Sequence, residues 1–127
     1  MNRIKKKILL LHSSNDLYGA SKIFLQIISI LSNQGYEIHV VLPSKGPMDD
    51  FFDNKINLIY HSLGVLRKKY LNPIGLINRI LTNLKAIKFL SSYIKSNEIN
   101  LVYTNTSTIL SGGIAAKKNK IPSLFHI

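Results

Sequence analysis

Residues able to do chemistry gather where polar, turn-forming stretches follow short apolar runs. Gly19-Ala20-Ser21 closes the polar stretch 13–19 and stands where a helix should begin. A small residue there lets an anion approach the backbone N–H groups that a helix start leaves unbonded. A lone glycine before a helix also serves simply as a turn, so the residues by themselves leave both roles open. Asn105-Thr106-Ser107-Thr108 offers an amide and three hydroxyls to a sugar or nucleotide, and N-capping of the following helix is the competing job. His126, in the final apolar stretch, carries an imidazole placed to orient or polarise a ligand, although a histidine taken alone is more often structural or partly exposed.

Other chemistries find no footing. The chain has no cysteine, and its four histidines lack metal-ligand spacing, which argues against a disulfide framework and a zinc centre. Asp49, Asp50 and Asp53 fall on one short segment and read as a solvated face or cap rather than the separated carboxylates of a glycosidase. Neither a Walker loop nor a G-x-G-x-x-G turn is present, which counts against a P-loop NTPase or a dinucleotide site.

The elements that must position these residues follow from the hydrophobic pattern. Ile8-Leu9-Leu10-Leu11 is a continuous apolar run, expected of a strand buried on both faces of a parallel sheet. From Ala20, apolar residues recur at Ile23, Phe24, Ile27, Ile28, Ile30 and Leu31, a helix with one wide buried face, closed by Gly35. Ile38-His39-Val40-Val41-Leu42 then forms a second strand, stopped by Pro43, completing a βαβ unit. The alternation continues with a short helix over 47–54, a strand over 58–60 and a basic loop over 64–72. A long helix over 73–97 carries Ile74, Ile77, Ile80, Leu81, Leu84, Ile87 and Ile94 at helical spacing. A strand over 101–103, a helix over 107–119 and a strand over 123–127 complete the chain. Gly112 and Gly113 inside that last helix each cost about 1 kcal/mol relative to Ala, so close packing of helix on sheet is their expected reason. The result is one α/β domain, a Rossmann-like parallel sheet with helices on both faces; the strand order expected of such a sheet here is 3-2-1-4-5. In such sheets ligands bind beyond the carboxyl ends of the strands, near the switch in strand order, which is where the glycine turn, Asn105 and His126 fall.

Seventeen Lys and Arg against six Asp and Glu give a formal charge of +11 in 127 residues, favouring anionic partners. Lys5, Lys6, Lys7, Arg67, Lys68, Lys69, Arg79, Lys85 and Lys88, beside Tyr70 and the apolar long helix, form either a face for an anionic membrane surface or a solvated basic face. The basic N-terminus precedes an apolar run of only four residues, a strand rather than a signal or membrane span. With no recognisable binding motif and no aromatic residues interleaved with the basic ones, nucleic acid is not an expected partner.

Three stretches, in order, resemble the N-terminal region of glycosyltransferase family 4. The first runs from Ile8-Leu9-Leu10-Leu11-His12 through Asn15-Asp16-Leu17-Tyr18-Gly19-Ala20, a helix, and Gly35-Tyr36-Glu37-Ile38-His39-Val40-Val41-Leu42-Pro43, like the family's glycine loop, helix and "G-H-E-V-x-V" strand. The second, Leu101-Val102-Tyr103-Thr104-Asn105-Thr106, is similar to its "D-L-V-H-x-N" strand, with Asn100 in place of the usual Asp. The third, Ile121-Pro122-Ser123-Leu124-Phe125-His126, resembles its "V-P-x-V-x-H" fifth strand. Where many members have a second glycine in the first loop, this chain has Tyr18.

The resemblance implies that residues 1–127 are an incomplete acceptor-side domain, the first half of a GT-B enzyme. It implies retaining transfer of a sugar from a nucleotide-sugar donor to a lipid-linked or polysaccharide acceptor, without an obligatory metal or other cofactor. Carried over residue by residue, Gly19 and Ala20 lie against the donor phosphates or acceptor, His126 lines the active site near the transferred sugar, and Asn105 is an acceptor-side candidate. The family's donor-binding C-terminal domain, with its acidic E-x7-E motif, has no counterpart in these residues, so the chain alone is expected to be inactive. A cytoplasmic protein, peripheral on the inner membrane, is the corresponding expectation. The alternative is a flavodoxin-like binding or regulatory module sharing the strand order; a phosphoacceptor version lacks its acidic residue, since Tyr60-His61-Ser62 stands at the end of strand three.

Overall fold

A computed structural model describes residues 6–63, 73–105 and 111–125. Strand β1 (Lys7–Leu11) leads through helix α1 (Gly19–Asn33) to β2 (Glu37–Leu42), a 3₁₀ turn (Pro47–Phe51) and β3 (Ile56–Tyr60). Helix α2 (Pro73–Asn97), β4 (Leu101–Thr104), α3 (Ser111–Lys118) and β5 (Ser123–Phe125) follow. All neighbouring strands pair in parallel, in the order β3-β2-β1-β4-β5, as the alternating pattern requires.

The apolar run of β1 is buried from both sides. Leu9 and Leu11 pack with Val41, Leu90, Ile94, Val102, Ala115 and Ala116 beneath α2 and α3. Ile8 and Leu10 pack with Ile38, Val40, Leu42, Phe24, Ile28 and Met48 beneath α1 and the 3₁₀ turn. Each fully buried aliphatic side chain stabilises the fold by about 1.5–3 kcal/mol, so the central strand is the most heavily anchored element.

Several boundaries and faces differ from expectation. The segment expected as a short helix over 47–54 is a 3₁₀ turn ending at Phe51, and β3 begins two residues before Leu58. The buried face of α1 is narrower than the apolar spacing suggests. Ser21, Phe24 and Ile28 are buried, whereas Ile23 and Ile30 are exposed, because only the residues facing β1 and β2 find a partner layer. Along α2 the contact with the core comes from Ala86, Leu90 and Ile94, while Ile74, Ile77, Ile80, Leu81 and Leu84 are 52–76% exposed. Of the segment expected as a helix over 107–119, residues 111–118 are helical and 106–110 lie outside the described residues, as does the basic loop 64–72. Gly112 and Gly113 thus fall at the start of the described helix. The close packing expected of them holds: a Cβ on Gly112 would stand 2.3 Å from Leu11 Cδ1. Among the described residues no helix is long and apolar enough to cross a membrane.

Candidate functional site

The parallel sheet directs the carboxyl ends of β1 and β4 to one edge. Leu11 pairs with Thr104 in register, so the next residues, His12 and Asn105, leave the sheet side by side. Hydrogen bonds from the Asn105 backbone N–H to the Leu11 carbonyl (2.9 Å) and from His12 N–H to the Val41 carbonyl hold both residues in line with the strands. His12 is 2% exposed and stacks on Phe24 of α1, with ring centroids 4.9 Å apart.

A row of side-chain hydrogen bonds starts there. Asn105 Nδ2 donates to the Ala20 carbonyl at 3.0 Å and lies 3.2 Å from His12 Nδ1. His12 Nε2 lies 2.8 Å from Ser21 Oγ, and Ser21 Oγ donates to Asp16 Oδ1 at 2.6 Å. The partners assign the protons. An ionised carboxylate only accepts, so the single Ser21 proton points to Asp16, Ser21 oxygen receives the His12 Nε2 proton, and His12 Nδ1 accepts from Asn105. His12 is therefore neutral. Burial pushes its pKa down, the Asp16 charge opposing this only in part. Asp16 also accepts from the Tyr18 backbone N–H at 3.0 Å. Burial alone would raise its carboxyl pKa, but donors at Ser21, Ser14 and Tyr18, with His12 nearby, outweigh that and hold it below the ordinary value.

The loop after β1 is braced a second time through Asn15. Its Nδ2 donates to the Ser44 carbonyl at 3.0 Å and to Asp49 Oδ1 at 2.7 Å, and its Oδ1 accepts from Met48 N–H at 2.8 Å. Asp49 Oδ2 accepts from the Tyr60 hydroxyl at 2.6 Å, which pushes the Tyr60 pKa up to about 12. A Cβ at Gly46 would lie 2.5 Å from the Asn15 backbone oxygen, so only glycine lets the loops after β1 and β2 meet this closely. Asp49, expected as part of a solvated face or cap, does cap the 3₁₀ turn, its Oδ2 accepting from the Gly46 N–H at 3.3 Å, and is also the node joining the carboxyl ends of β1, β2 and β3.

Of the residues singled out from sequence, Gly19 opens α1 beside Asp16, and a Cβ built on it would meet nothing within 4 Å. Ala20 is exposed and lends its carbonyl to Asn105. Asn105 is 5% exposed, so it sits beneath the loop rather than on its surface. His126 lies outside the described residues, as do Thr106, Ser107 and Thr108. His12, Asp16 and Ser21 were missed as site residues. The available signal was the expected strand order, which makes β1 and β4 neighbours and brings the residues just beyond them together. Among the described residues no group of three or more His, Cys, Asp or Glu could hold a metal. A groove of about 370 Å³ between α1 and Phe51 involves none of His12, Asp16, Ser21 or Asn105.

A curated relative, the UDP-Gal:alpha-D-GlcNAc-diphosphoundecaprenol alpha-1,3-galactosyltransferase of Escherichia coli, is 25% identical over 111 residues, which are 87% of this chain and 26% of that enzyme. The chain thus spans about a quarter of that relative's length. MurG of Acinetobacter baumannii superposes with a TM-score of 0.70 at 21% identity, covering 95% of this chain and 34% of that one. The C-terminal domain of the PF1911 hydrogenase from Pyrococcus furiosus superposes with a TM-score of 0.64 at 14% identity, covering 99% and 96% of the two chains. At these identities the likeness to the two structures shows the fold alone. Family membership comes from the sequence: residues 7–125 match the glycosyl transferase 4-like family, and the chain belongs to it.

Proposed function

We propose that residues 1–127 form part of the acceptor-side half of a retaining glycosyltransferase that moves a sugar from a nucleotide-sugar donor to a lipid-linked or polysaccharide acceptor. The observation that carries this is the family match over residues 7–125. The carboxyl edge of the sheet, where ligands of doubly wound folds bind, supports it with Asp16, Tyr18 and Gly19 displayed on a turn braced from β2, β3 and β4. Open space over Gly19 favours its role, with Ala20, as a surface on which a ligand lies, and the resemblance assigns His126 to the active site beside the transferred sugar. Because the Escherichia coli relative is named for a diphosphoundecaprenol-linked GlcNAc, we favour a polyprenyl diphosphate-linked sugar as acceptor. Donor contacts belong mainly to a C-terminal domain, as the resemblance implies.

The protein is then cytoplasmic and peripheral on an anionic inner membrane. A formal charge of +11 and the exposed stripe Ile74, Ile77, Ile80, Leu81 and Leu84, with exposed Lys85 and Lys88 on the same helix, support this. Failure to bind phosphatidylglycerol vesicles at low salt removes the membrane part of the proposal. A flavodoxin-like binding module without catalysis is the second reading, which the doubly wound strand order by itself allows. Incubating the protein that carries this chain with UDP-galactose and GlcNAc-diphosphoundecaprenol decides between them. Transfer predicts a product heavier by one hexose with α configuration at the new linkage; an unchanged acceptor across a panel of nucleotide sugars and lipid-linked acceptors refutes it.

A further inference from the structure

Asn105 reads from the sequence as an acceptor contact, yet both of its amide protons point inward, to the Ala20 carbonyl and to His12 Nδ1. His12 hands the direction on to Ser21, which is 1% exposed, and Ser21 to Asp16. Every donor in this row points the same way, from the end of β4 toward the turn before α1. Only at Asp16 does the row leave the protein interior, next to Tyr18, which is 79% exposed. Resting on the acceptor-side reading above, we propose that Asp16 receives a hydroxyl of the acceptor sugar and that Asn105, His12 and Ser21 are positioning residues holding its carboxylate from the end of β4.

A carboxylate offers about four lone-pair sites. Asp16 uses one for the Ser21 hydroxyl and one for the Tyr18 amide, with Ser14 a third donor close by. The first two meet on Oδ1, which fixes the plane of the group and leaves acceptor capacity for a ligand hydroxyl. The same donors favour the ionised form, so Asp16 accepts rather than donates. The Tyr18 ring on the same turn supplies an exposed apolar face with a polar tip, fitted to lie against a sugar ring. Asp16 also places negative charge at the start of α1, offsetting the helix dipole that would otherwise draw a phosphate. The turn is thereby suited to a hydroxyl rather than to an anion.

The row works only while His12 is neutral. A proton on Nδ1 would face the Asn105 amide, donor against donor, and break the link to β4. Around His12 the packed groups are Phe24 and Ser21 of α1, Asn105 beyond β4 and the Val41 carbonyl of β2, all uncharged; Asp16 is its charged neighbour. Acceptor binding is thus expected to fall on the acid side as His12 gains its proton.

Titration of the ¹⁵N-labelled chain with N-acetylglucosamine 1-phosphate tests this, read at the backbone amides of residues 16–21 and at the His12 ring nitrogens. The wild type shows saturable amide shifts and a neutral Nε2–H imidazole. Asp16→Asn, which preserves shape and removes the charge, weakens binding at least tenfold. Ser21→Ala, which favours the helix, weakens it several-fold and abolishes the acid-side loss, a change that a purely structural role would not produce. Equal affinity and an equal pH profile in all three proteins overturns the positioning row and leaves the acceptor-side reading standing. Identical shifts from inorganic phosphate alone overturn hydroxyl recognition. A wild type whose amides do not respond to the sugar phosphate overturns the acceptor-side reading and the assignment of Asp16 with it.

Discussion

Replacing Gly112 by Ala should destabilise the chain although it replaces the poorer helix former by the best one. The added Cβ would stand 2.3 Å from Leu11 Cδ1, 3.0 Å from Thr104 Oγ1 and 3.4 Å from Val102 Cγ1. Favourable carbon contacts lie near 3.5–4.0 Å, so the first is more than about 1 Å too short. Leu11, Val102 and Thr104 are each 0% exposed and have no solvent to swing into. Overpacking of this kind costs about 1–3 kcal/mol, and the short contact places it in the upper part of that range. Helix propensity returns at most about 1 kcal/mol, and less in a first turn. The net loss is about 1–2 kcal/mol, a fall in Tm of roughly 4–8 °C for a domain of this size. Gly113→Ala is the internal control. Its Cβ would meet the Phe125 ring at 2.8 Å, but Phe125 is 43% exposed and free to move outward, so stability should be unchanged or slightly raised. Urea and thermal unfolding followed by circular dichroism measure both. A Gly112→Ala chain as stable as the wild type, or equal losses for the two variants, would refute the close seating of α3 on β1 and β4.

Acid should weaken the fold through His12. Its folded pKa lies below the ordinary 6.5, so the unfolded chain binds the proton first and stability falls as pH drops from about 6.5 toward the folded pKa. The depressed carboxyl of Asp16 adds a second loss below about 3.8. Urea midpoints for wild type and His12→Gln should diverge at neutral pH and converge on acidification; parallel curves would sink the assignment. Tyr60, held up to about 12 by Asp49, should be a late-titrating tyrosine in an ultraviolet alkaline titration, and Asp49→Asn should return it toward 10. No change on that substitution would contradict the brace. Tyr93→Phe removes the hydroxyl 2.5 Å from buried His39 Nδ1, whose Nε2 lies 2.6 Å from Glu37. Leaving that nitrogen unpaired should cost about 1 kcal/mol in urea unfolding, and an unaltered midpoint would show that water replaces it.

The sheet was legible because its signals are local. Ile8-Leu9-Leu10-Leu11 announces a strand covered on both faces, and the strand–helix–strand spacing around Gly35 and Pro43 sets parallel crossovers; the order 3-2-1-4-5 was expected from the likeness to a doubly wound fold. What failed depended on partners distant in sequence. Ile23 and Ile30 fit the helical period, but periodicity does not say how wide a face the sheet will cover. His12 looks like the end of a strand until β1 and β4 are set in register and Asn105, 93 residues away, comes beside it. Asp49 is the cap its position suggests, but its further partners Asn15 and Tyr60 lie 34 and 11 residues off and leave no local sign. Asn105 is polar and well placed, yet nothing local says whether its amide faces a ligand or the interior. The edge-on contact of His39 with Tyr93 joins β2 to α2 across 54 residues and had no sequence signature.

The central claim, an acceptor-side half whose ligand surface is the turn after β1, is tested most directly by comparing two ligands on the labelled chain. N-acetylglucosamine 1-phosphate and UDP would be titrated separately while the amides of residues 15–21 are followed. Acceptor-side function predicts saturable shifts there with the sugar phosphate and little or no response to UDP. Shifts produced by UDP, with none from the sugar phosphate, would place the nucleotide on this edge of the sheet and contradict the account.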